Sequence, residues 1–88
     1  MKFNESYVLR LFEGKPVLAQ KGEEGKITKI VKLNEIAEVI IRGLQKGLTK
    51  ESIIQTILAN YNVDAATAEK DFDEFVAQLL GLGVLENN

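Results

Sequence analysis

An α+β domain, with a small antiparallel sheet followed by a three-helix bundle, is the fold class that the sequence predicts. Three observations lead to it. Up to Leu33 the chain consists of short runs rich in β-branched and aromatic residues, separated by glycine-containing turns. At Asn34 the apolar period changes from two to 3.6 residues. Beyond it, Asn34, Thr49 and Asp64 each stand just before an apolar-periodic stretch, and all three are residue types that cap helix N-termini.

The first strand is "YVLRLF", within residues 6–12, and the second, residues 15–20, is "KPVLAQ". Glu13-Gly14 between them makes the pair a hairpin, and Pro16, which cannot donate to a ladder, belongs at the start or outer edge of its strand. The glycine-bounded turn "KGEEGK" leads into a third strand, residues 27–33. Alternation predicts Ile27, Val31 and Leu33 toward the core with Lys29 as the exception, and Lys26, Thr28, Ile30 and Lys32 on the opposite face. Helix 1 covers residues 35–45, with Ile36, Ala37, Ile40, Ile41 and Leu44 as its apolar stripe. Helix 2, residues 50–60, buries Ile53, Ile54, Ile57 and Leu58. Helix 3, residues 65–82, carries a wide stripe centred on Phe72 and stops at the glycines 81 and 83. The order β-β-β-α-α-α, with a tight "YNVDA" turn between the last two helices, is winged-helix-like with the wing first.

The 88 residues are expected to form one domain, 1–88, around a single modest core. No apolar run approaches the roughly 20 residues that cross a bilayer, and the N-terminus lacks the apolar stretch of a signal peptide, so a cytoplasmic protein with no membrane contact is expected. With no cysteine and no histidine, thiolate chemistry, Ser-His-Asp catalysis and the usual zinc sites are excluded. The adjacent carboxylates Glu23/Glu24 and Asp73/Glu74 are surface charges. No enzyme activity, metal or cofactor is expected.

The segment "KLNEIAEVI", Lys32 to Ile40, resembles the strand-to-helix junction of the PqqD-like family, whose fold is also called the RiPP recognition element. "LTKESIIQTILANYNVDAATAEKDFDEFVAQLLGLGVL", Leu48 to Leu85, is similar to that family's run of a helix, a Tyr-x-Val-Asp turn and an acidic helix closing on Gly and Leu. Before Ile27 the likeness lies in element order and in the "YVLR" strand. One departure is "IRGLQKG" after Ile40, where members often carry an aromatic residue and a bulky pair. The resemblance implies a peptide chaperone without chemistry of its own. Such a domain binds the leader of a ribosomally made precursor peptide and presents it to a modifying enzyme, often a radical SAM enzyme. It further implies that the leader adds as a strand along Ile27, Thr28, Lys29, Ile30, Val31 and Lys32, and lies against helix 3. There the candidate residues are Asp71, Phe75, Gln78 and Leu82, on one flank of the stripe; Val76 and Leu80, beside Glu69 and Asp73, form the other.

Physical chemistry gives this carry-over a rationale. Strand addition needs an unpaired edge, and the third strand is free of proline. The lysines 26, 29 and 32 either engage leader carboxylates or keep a sticky edge from pairing with itself. An acidic helix beside a lysine-bearing strand would offer the peptide one negative and one positive wall. The sequence also admits two rival readings: a winged-helix DNA-binding protein, and a self-associating module in which the free edge pairs with its own copy as a homodimer. DNA is disfavoured, because a net charge of −2 and four carboxylates on the reading helix repel phosphates.

Overall fold

The computed structural model describes residues 2–86. β1 (Lys2–Phe3) precedes β2 (Tyr7–Phe12) and β3 (Lys15–Lys21), which a 3-10 turn at Glu23–Gly25 joins to β4 (Ile27–Lys32). Three helices follow, α1 (Glu35–Gln45), α2 (Lys50–Asn60) and α3 (Ala65–Leu82), and then β5 (Leu85–Glu86). β2, β3 and β4 form an antiparallel sheet in that order, so the α+β architecture of three strands and three helices is as the sequence predicts.

Local chemistry sets the element ends. Glu13 and Gly14 both take positive φ, 53° and 79°, the conformation of a two-residue hairpin turn whose twist matches the strands it joins. The Asn34 side chain accepts from the Ala37 N–H at 2.7 Å, Thr49 Oγ1 from the Ser52 N–H at 3.1 Å, and Asp64 Oδ1 from the Thr67 N–H at 2.7 Å. Each satisfies a donor that its helix leaves unpaired. The Thr67 N–H also holds the Asp64 carboxyl below the usual carboxylate range. α3 ends on Gly83 in the left-handed region, φ 80°.

β1 and β5 add something the sequence reading did not contain. They pair antiparallel, Lys2 with Glu86 and Phe3 with Leu85, and so clasp the two ends of the described chain. Asn4 strengthens the clasp: its N–H donates to the Val84 carbonyl at 2.7 Å and its side-chain amide to the Gly83 carbonyl at 3.0 Å. The same side chain accepts from Ser6 N and Oγ, which gives the Asn4-Glu5-Ser6 triplet a structural role.

The core has two lobes. Tyr7, Leu18, Leu33, Ala37, Ile41, Leu79, Val84 and Leu85 pack between the sheet and the helices, whereas Ile40, Ile53, Ile54, Ile57, Ala68 and Phe72 pack among the helices. Phe75 and Val76 of α3 pack against both, so this helix couples the sheet to the bundle.

One expected orientation is corrected. Ile27 is not a core residue; it is 48% exposed. Gln20 pairs with Lys29 but Lys21 pairs with Ile27, so Thr28 is an extra residue on β4, and this bulge reverses the alternation on its N-terminal side. Val31 and Leu33 do face inward, half-buried and buried respectively.

Gly43 is buried in α1 where the helix meets α2. A Cβ there would lie 2.5 Å from Ile53 Cγ1 and 2.8 Å from its Cδ1. Ile53 is itself buried and β-branched, so it has little room to move. Gly43→Ala is therefore expected to destabilise the domain by about 1–2 kcal/mol, because an approach this close puts the overpacking at the upper part of its usual range, about 2–3 kcal/mol, against a helix-propensity gain of about 1 kcal/mol. Denaturant unfolding measures this; a variant as stable as the parent would show that α1 and α2 separate freely.

Candidate peptide-binding site

β4 is the last strand of its sheet, and among the described residues nothing pairs with its outer side. The ladder fixes which groups face outward. Leu33 N–H donates to the Pro16 carbonyl at 3.3 Å, marking Leu33 and Pro16 as a hydrogen-bonded pair. In an antiparallel ladder such pairs alternate, so Val31/Leu18 and Lys29/Gln20 are hydrogen-bonded as well. The backbone N–H and C=O of Ile30 and Lys32 thus point away from β3 into open space. Pro16, second in the central strand β3, leaves only one ladder donor missing, near the end of the sheet.

Side chains on this strand divide between the two faces. Directly paired residues share a face, so Lys29 and Val31 lie with Gln20 and Leu18 on the helix side, and Ile30 and Lys32 lie with Ala19 and Val17 on the outer side. Of the two candidate lysines within the strand, only Lys29 lies on the helix side of the sheet.

α3 and the first turns of α1 enclose a groove of about 250 Å³ where β4 ends. Asp71, Glu74, Phe75 and Gln78 line it from α3, and Asn34, Ile36, Ala37 and Ile40 line it from the other side. Three of the expected α3 residues are thus brought together around one opening. Leu82 is not among the residues lining it. It lies further along α3, half-buried against the sheet-side core, and its carbonyl accepts from the Tyr7 hydroxyl at 3.3 Å. The sequence reading missed Glu74 of α3 and the whole α1 side of the groove, Asn34, Ile36, Ala37 and Ile40. Residues 71, 74, 75 and 78 follow the i, i+3, i+4, i+7 spacing of one helix face, and that was the signal available.

The opposite flank of α3 is occupied by the protein itself. Lys50 Nζ of α2 lies 2.9 Å from Asp73 Oδ1 and 3.8 Å from Glu69 Oε1, and 5.8 Å from the centroid of the Phe72 ring. The hydrogen bond to Asp73 foremost raises the Lys50 pKa. Glu74 lies 4.0 Å from Lys70, and among the described residues Asp71 forms no ion pair. The negative wall expected from four carboxylates is therefore narrower, made by Asp71 and Glu74 alone.

A small antiparallel sheet whose edge strand β4 is unpaired on its outer side, with a helix-lined groove just beyond its C-terminal end, defines a winged-helix-like domain. The family model "Coenzyme PQQ synthesis protein D (PqqD)" matches residues 17–85, and the chain belongs to that family. Among solved structures, TbiB1 in complex with the TbiA(beta) leader peptide is similar at a TM-score of 0.80 and 27% identity, covering 100% of this chain and 98% of that one. Lasso peptide synthetase B1 complexed with the leader peptide shares the fold at a TM-score of 0.79 and 22% identity, covering 98% and 96%. No curated protein gives a significant match. No described helix is long and apolar enough to cross a membrane.

Proposed function

We propose that this domain binds the leader of a ribosomally made precursor peptide by strand addition along Ile27–Lys32 of β4, and presents it to a modifying enzyme, without catalysing a reaction itself. The open hydrogen-bonding edge at Ile30 and Lys32 carries the proposal: β2 is the sheet's other unpaired edge, but β4 is the one that leads through Asn34 into the α3 groove, so a strand added there has both backbone partners and a groove beside it. The α3 groove supplies side-chain recognition. Phe75 offers an apolar contact, Asp71 and Gln78 offer polar ones, and Leu82 extends the half-buried flank. That both similar solved structures are leader-peptide complexes supports this reading. The acidic α3 argues against DNA, because phosphate neutralisation dominates DNA affinity.

An amide NMR titration with the leader encoded beside the gene tests the proposal. Shifts are expected at Ile27–Lys32 and at Asp71, Phe75, Gln78 and Leu82. An unperturbed spectrum from a folded protein would overturn the assignment. The same open edge favours a second reading, self-pairing into a dimer, which a concentration-dependent mass in sedimentation would reveal.

A further inference from the structure

The sheet has a second face that takes no part in either lobe of the core. By the strand register, β2 presents Val8, Arg10 and Phe12 there, β3 presents Lys15 through Lys21 at alternate positions, and β4 presents Ile27, Ile30 and Lys32. Two properties set this face apart. Its apolar members include Phe12, Ile27 and Ile30, which are 54%, 48% and 48% exposed, and they surround the buried Val17 and Ala19. Its charged members are Arg10, Lys15, Lys21 and Lys32, all exposed and all cationic; no carboxylate occupies any position of the face, although the chain carries a net charge of −2.

We infer that this outer face docks an acidic, apolar-centred surface of the modifying enzyme, while the leader occupies the β4 edge. The inference rests on the proposed leader binding for the identity of the enzyme, but not for the chemistry of the face. Charge complementarity selects the occupant. Four cations, with the turn's Glu13 as the one carboxylate lining the adjoining cavity, call for carboxylates on the partner, and they disfavour a second copy meeting the same face across a two-fold axis, which would oppose like charges. A concave element favours a protein over a lipid surface. A cavity of about 240 Å³ at the hairpin end of the face is lined by Phe12, Glu13, Lys15, Val17 and Lys32, reaches Pro16 and Leu33 at the strand ends, and suits a projecting side chain. Continuity supplies the link to function. Ile30 and Lys32 direct their side chains to this face and their backbone groups to the open edge, so an added leader strand would widen the same platform that the enzyme contacts.

The test leaves β4 untouched. Arg10→Glu/Lys15→Glu/Lys21→Glu and, separately, Phe12→Ser are compared with the parent by anisotropy against two probes, the labelled leader and the purified modifying enzyme encoded beside the gene. Circular dichroism checks the fold. Enzyme affinity is expected to fall about tenfold or more for the triple variant, with the loss greatest at low salt. Leader affinity is expected to stay within about twofold, because the altered residues lie off the edge strand. Enzyme affinity unchanged by both variants would overturn the inference, as would a parent that never binds the enzyme. Binding of the parent to phosphatidylglycerol vesicles but not to the enzyme would reassign the face to a membrane. A parent that binds the enzyme but no leader would sink the leader proposal and leave this one standing.

Discussion

Ile30→Pro is expected to weaken leader binding about tenfold or more while leaving the domain folded. Proline deletes a backbone donor, and at position 30 that donor faces the open edge and not β3. One lost hydrogen bond accounts for about 0.5–1.5 kcal/mol, and the ring, standing where the incoming strand must approach, adds a steric cost that brings the sum past the roughly 1.4 kcal/mol of a tenfold change. The control is one residue away. Val31 directs its N–H to Leu18, so Val31→Pro breaks the ladder and unfolds the sheet. Titration calorimetry and circular dichroism separate the two outcomes. If Ile30→Pro bound the leader as well as the parent, the peptide would not be adding to this edge.

Phe72→Ala is expected to destabilise the domain by about 3–5 kcal/mol, the usual cost of emptying a buried aromatic site. Phe72 is only 4% exposed and packs with Ile40, Ile53, Ile54, Ile57 and Ala68, so all three helices contribute to its surroundings. A domain of this length has on the order of 4–13 kcal/mol in total, which leaves the variant near the edge of folding. The urea midpoint should fall with little change in slope. A loss below about 1 kcal/mol would mean that the helices close over the cavity, contrary to the rigid packing implied by Gly43 and Ile53.

What the sequence revealed and what it concealed divide along the range of the interactions involved. The caps Asn34, Thr49 and Asp64 were legible because each acts on an N–H three residues away. The apolar stripes of the helices were legible for the same local reason. Ile27 was misplaced because its direction depends on a bulge set by pairing with β3, which no pattern within β4 encodes. The β1–β5 clasp escaped notice because two-residue strands carry almost no pattern, and their partners lie at opposite ends of the chain. On α3 the stripe itself pointed to Asp71, Phe75, Gln78 and Leu82 as readily as to the other flank. Only the tertiary position of Lys50 shows that Glu69 and Asp73 are already engaged. Gly43 lies in "IRGLQKG", the stretch where the sequence departs from the family pattern; its reason, the close approach of Ile53, is visible only in the packed structure.

The clasp of Phe3 against Leu85 also fixes how the domain can be connected to anything else. Both ends of the described chain emerge from one place, so a segment joined before Lys2 and one joined after Glu86 would share a common pivot. Swapping which end carries a fused module would reorder the segments of a gene without moving the point of attachment. A single short crossing of that pivot would also let the fold be spliced into a surface loop of a larger protein.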